Sequence, residues 1–93
     1  MYYYITLMEI NKLIKIIETK ISKNILFENI IIEDKSFLHK FHKNNMKGKY
    51  HIKISIKSKQ LSSQTKIQSS KLIHSILKDE ISLHIHSIQI LIN

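Results

Sequence analysis

Leu7, Ile10, Leu13, Ile14, Ile17 and Ile21 recur at helical spacing, with Asn11, Lys12, Lys15 and Glu18 filling the other face. The pattern predicts an amphipathic helix over roughly residues 7–22, closed by the Ser22-Lys23-Asn24 cluster. Leu26 to Glu33 is a run rich in β-branched Ile and reads as a strand, which Asp34-Lys35-Ser36 breaks. Residues 35–49 are polar and basic, lack periodicity, and carry His39, His42 and the only glycine, Gly48. A loop this long in a small domain is expected to be functional or mobile. Tyr50 to Ser58 alternates strictly: Ile52, Ile54 and Ile56 share one face, and His51, Lys53, Ser55 and Lys57 share the other. Period two with one polar face predicts a half-buried strand on a sheet with one wet side.

Lys59 to Gln64 reads as a connection. Ile67, Lys71, Ile73, Ile76, Leu77 and Ile81 suit a second helix over roughly residues 65–81, with Ser63 or Thr65 as its cap. Asp79 and Glu80 then fall near its C-terminal end, where the helix dipole disfavours carboxylates. Ile88, Ile90 and Ile92 alternate with Ser87, Gln89 and Leu91 in a last strand. The order is helix, strand, strand, helix, strand, an α+β αββαβ arrangement. The helical crossover makes the second and third strands parallel if they share a sheet. Two amphipathic helices would then cover one face of a three-stranded mixed sheet. The 93 residues fit a single domain over 1–93, with 1–6 as an N-terminal extension and 35–49 as a mobile His-bearing loop.

Composition narrows the chemistry. The chain has no cysteine, so it supplies neither a disulfide nor a thiolate metal ligand. It also lacks Ala, Val, Pro, Trp and Arg, a bias resembling AT-rich coding in which Ile stands for Val and Lys for Arg. The net charge of +8 invites phosphate attraction, with Lys66 and Lys71 of the second helix as contacts. Without Arg, bidentate guanine readout is lost, and solvated lysines that keep a small domain soluble are the simpler reading. No apolar run approaches the roughly 20 residues of a membrane helix. The first residues lack a basic n-region and a small-residue cleavage site, and Glu9 and Glu18 are unlike a transit peptide. A cytoplasmic chain is expected, with the nucleus or the mitochondrion as alternatives.

There is no G-x-S-x-G elbow, P-loop or H-E-x-x-H, and one glycine cannot build a phosphate cradle, so the expectation is a non-enzyme. The αββαβ order is that of KH domains, but their G-x-x-G clamp is missing. Histidine is what remains. His39 and His42 lie in the loop, His51 opens the second strand, His74 is in the second helix, and His84 and His86 precede the last strand. His84 and His86 share a face if that stretch is extended. A lone exposed histidine is usually only solvated. His86 stands out because it sits where the backbone is held, beside an apolar strand.

Several segments resemble BolA-like proteins in register. Asp34-Lys35-Ser36-Phe37-Leu38-His39 is similar to their D-x-S-x-x-H, and His51 to Ser58 resembles their H-F-x-V-x-V-x-S strand. Leu61 falls on the Phe of S-x-x-F, Ser70-Lys71-Leu72-Ile73-His74 resembles the R-H-R helix start, and Ile85-His86-Ser87-Ile88-Gln89-Ile90 resembles the closing I-H-A-L-x-I. The likeness spans about residues 7–93. Ser69 and Ser70 replace the first Arg and the His of R-H-R, Ser63 replaces a glycine, and the loop between His39 and His51 is longer than usual. By the same resemblance, the family's short tail after the last strand is expected to be largely missing.

The resemblance implies a class II KH-like fold and a function. BolA-like proteins pair with monothiol glutaredoxins and share a bridging [2Fe-2S] cluster, for cluster trafficking or iron sensing. The glutaredoxin gives a cysteine and a bound glutathione thiol. The BolA-like chain, a monomer when alone, gives its C-terminal His, here His86, and a loop residue, here His39 or, as an alternative, His42. Neutral imidazoles in place of two thiolates raise the potential of the cluster. Imidazole must be unprotonated to bind a metal, so such a site should weaken as pH falls through the ordinary histidine range near ~6.5. A second function proposed in the family is DNA-binding transcriptional regulation through the second helix. Loss of the R-H-R cations at Ser69 and Ser70 weakens that reading here.

Overall fold

In the computed structural model, which describes residues 9–36 and 49–93, the chain runs α1 (Ile10–Asn24), β1 (Asn29–Asp34), β2 (Tyr50–Lys57), α2 (Lys59–Ser62), α3 (Lys66–Ile76), α4 (Lys78–His84) and β3 (Ile85–Ile92). Glu9 caps α1, its carboxylate accepting the Asn11 N–H at 3.1 Å. Leu13, Ile17 and Ile21 then recur every four residues and are fully buried, so one stripe faces the core. The helix ends where Ile25 turns extended and buries its own side chain. No described helix is long and apolar enough to cross a membrane.

The strands form one sheet in the order β1-β2-β3. β1 pairs antiparallel with β2, placing Ile30 opposite Ile56 and Ile32 opposite Ile54. β2 pairs parallel with β3, placing Ile52, Ile54 and Ile56 opposite Ile88, Ile90 and Ile92. The expected parallel crossover and mixed α+β sheet are therefore present. The isoleucines of these rows meet Leu13, Ile17, Ile21, Leu61, Ile73 and Leu77 from the helical layer. Each fully buried Ile or Leu stabilises the fold by about 1.5–3 kcal/mol relative to exposure. The opposite face carries Lys53, Ser55, Gln89 and the exposed Ile31 and Leu91.

Two parts of the helical layer differ from the sequence expectation. The connection after β2 contains the short turn α2, built by Ser58. Its hydroxyl donates to the Leu26 carbonyl at 2.6 Å and accepts the Leu61 N–H at 3.1 Å. The predicted helix over 65–81 is broken at Leu77, whose backbone leaves the helical region (φ −100°, ψ 17°) while its side chain stays buried. Thr65 caps α3 through a reciprocal capping box with Gln68. The break also places Asp79 and Glu80 in the first turn of α4, where carboxylates are favoured, instead of near the end of a long helix. Glu80 is buried there and meets Lys20 of α1 at 2.7 Å.

Candidate functional site

The site lies where β2 and β3 begin side by side. The β2–β3 register is regular from His51↔Ser87 onward but shifts between Tyr50 and His51, since Tyr50 pairs with Ile85. His86 is the extra residue of this bulge. Strict alternation would put His86 on the face of Ile88 and Ile90. Instead Ile85 is buried, and His86 and Ser87 are both exposed. A bulge re-aims a side chain in this way without disturbing the rest of the ladder. Among the described residues, neither ring nitrogen of His86 has a hydrogen-bond partner.

His51 is the neighbour that sequence reasoning passed over. Period two assigns it to the polar face with Lys53 and Ser55, yet it is only 6% exposed. Both its backbone and its ring are held by neighbours. Its N–H donates to the Ser36 hydroxyl at 3.0 Å, and its carbonyl accepts the Lys35 N–H at 2.7 Å. Its Nδ1 is hydrogen-bonded to Ser87 Oγ at 2.6 Å. Its ring meets the His86 ring edge to face, with centroids 4.9 Å apart and planes at 64°. The first residues of the expected 35–49 loop are thus tied to β2. Ser36 is tied back further, its N–H donating to Asp34 Oδ1 at 2.9 Å. At the start of β2, burial pushes the Tyr50 phenol up from its ordinary pKa, and the negative charges of Asp34 and Glu9 add to this.

The other candidates separate. His39 and His42 lie outside the described residues. His84 is the last residue of α4 and not part of an extended stretch, so its shared face with His86 does not form. The helix continues to that point because α4 restarts after Leu77. His74 is exposed on α3, its Nδ1 hydrogen-bonded to the Ser70 carbonyl at 2.8 Å. Lys66 and Lys71 are both exposed on α3 but are five residues apart, about 140° around the helix, so they do not form one stripe. Ser69, at the position of a family Arg, is fully buried and donates to the Leu61 carbonyl at 2.8 Å. Among the described residues, no three His, Asp or Glu side chains converge as a metal site.

The sequence model of the BolA-like protein family matches residues 21–93, which include β1, β2, β3 and both His51 and His86. The chain belongs to the BolA-like family. Solved structures agree on the fold. The BolA domain of SufE1 from Arabidopsis thaliana superposes with a TM-score of 0.72 at 24% identity, covering 85% of this chain and 87% of that one. BolA1 from Arabidopsis thaliana gives a TM-score of 0.68 at 19% identity, with 85% and 87% covered. At these identities the BolA-like likeness to the two structures is one of fold. No curated protein sequence matches the chain significantly.

Proposed function

We propose that this BolA-like chain is a non-enzymatic iron–sulfur adaptor, which pairs with a monothiol glutaredoxin and contributes histidine ligands to a shared [2Fe-2S] cluster. The observation that carries the reading is the exposed His86 imidazole, presented by a bulge on a paired strand with its ring nitrogens unpartnered among the described residues. Imidazole is a suitable donor for iron, and a strand holds it better than a loop does. The absence of cysteine means that thiolates must come from elsewhere, namely a glutaredoxin cysteine and glutathione. The donor set therefore fits half of a mixed site. When bound, the cluster supplies one-electron chemistry at a potential raised by imidazole ligation.

The second ligand in this reading is His39, with His42 as the alternative. His39 follows Ser36, whose hydroxyl is bonded to His51, by three residues, a reach of about 10 Å of chain. The wide separation of Lys66 and Lys71 around α3 gives less support to nucleic-acid binding.

The test mixes the full chain with a cluster-loaded monothiol glutaredoxin and follows the visible spectrum and the heterodimer. A new spectrum is expected on mixing. His86→Ala should abolish the change, and one of His39→Ala and His42→Ala should alter it. If none of the three variants changes the spectrum, the adaptor reading is wrong.

A further inference from the structure

We infer that His51 and Ser87 form a positioning pair that fixes the ring of His86 before any partner arrives. The inference rests on the adaptor reading only for its consequence on a bound cluster; the orientation itself belongs to the chain alone.

His51 is immobilised twice. Its backbone is clamped at both polar groups, by Ser36 Oγ at 3.0 Å and by the Lys35 N–H at 2.7 Å. Its ring is buried and bonded through Nδ1 to Ser87 Oγ at 2.6 Å. A buried, hydrogen-bonded histidine is commonly just a satisfied core residue. Two features give this one a further role. Ser87 directly follows His86, so the bond ties β2 to the bulge that carries the exposed imidazole. The His51 ring also packs edge to face on the His86 ring at 4.9 Å, an arrangement favoured between aromatic rings.

An exposed side chain on a strand otherwise samples several rotamers, and ordering it on binding costs free energy. A fixed wall on one side of His86 removes part of that cost in advance, while the side chain stays exposed. His51 is too enclosed to replace His86 as the outward group. Its place is behind that group, like the outer partners that orient metal-binding histidines and whose loss weakens metal affinity.

The decisive measurement is made on the full chain alone, with isotope-labelled histidine. Three-bond couplings and order parameters of the His86 side chain should report one dominant rotamer. Ser87→Ala, at an exposed position, should leave the backbone amide spectrum folded while the His86 couplings move toward averaged values. Ser87→Thr, which restores the hydroxyl, should return them to the wild-type values, and His51→Ala should average them further. Wild-type couplings in folded Ser87→Ala would overturn the proposal, even if His51→Ala does not fold. With cluster-loaded monothiol glutaredoxin, Ser87→Ala should lose its cluster to a chelator about tenfold faster. If the wild-type chain takes up no cluster, the adaptor reading falls, and the coupling measurement still decides the role of His51 and Ser87.

Discussion

His86 and His51 carry the same side chain in opposite environments: the His86 imidazole is exposed on the bulge, and the His51 ring is buried against it. The start of β3 is readable because apolar alternation sets in at Ile88. The bulge is not, because it depends on which residue of β2 each residue of β3 meets. The burial of His51 is equally long-range, since Ser36 and Ser87 lie 15 and 36 residues away in sequence. The Lys20–Glu80 pair is a third long-range feature, joining residues 60 apart. Glu80 is 8% exposed, and its Oε1 has no hydrogen-bond partner among the described residues. Removing Lys20 alone strands a buried carboxylate, whereas removing both charges does not. Lys20→Met should therefore lower the urea midpoint, and Lys20→Met with Glu80→Met should recover most of the loss. Equal midpoints for the single and double variants would show that the carboxylate left behind by Lys20→Met costs no stability.

Elements were more legible than the joints between them. Leu13, Ile17 and Ile21 mark α1, and Ile52, Ile54 and Ile56 mark β2, because each repeat matches the period of its backbone. The apolar positions from Ile67 to Ile81 read as one helix because no Gly or Pro interrupts them. The break comes from tertiary demands: Leu77 must stay in the core while α4 brings Glu80 to Lys20. The cap of α3 was legible as one of two choices, and the structure selects Thr65 over Ser63. Thr65 accepts the Gln68 N–H, and Gln68 Oε1 accepts the Thr65 N–H, both at 3.1 Å. Thr65→Ala removes the first bond from an exposed helix start and should cost about 1 kcal/mol. The check is a lower urea midpoint at unchanged m; an unchanged midpoint would mean that α3 is held by packing alone.

At the scale of the whole molecule, the basic charge sets up a contest on the alkaline side. Lys20 has its pKa raised above 10.5, first by its hydrogen bond to Glu80, against the opposing effect of burial, and further by the charges of Glu80 and Asp79. Tyr50 has its pKa raised above 10.0, first by burial and then by Asp34 and Glu9. Both groups hold their protons more tightly in the folded chain than in the unfolded one. Stability linked to them is complete below those ordinary values and is lost as pH rises through the raised ones. Deprotonation of the other lysines acts in the opposite direction, since it relieves the self-repulsion of a chain with a formal charge of +8. The wild-type curve alone cannot separate the two effects, but a comparison can. Tyr50→Phe combined with Lys20→Met removes both raised groups and leaves the remaining lysines in place. Losses that do not involve a proton shift the variant curve equally at every pH. Between about pH 9 and pH 11.5 the wild-type urea midpoint should therefore fall relative to that of the double variant. Parallel curves would mean that neither proton is linked to folding, and that the alkaline limb is set by net charge alone.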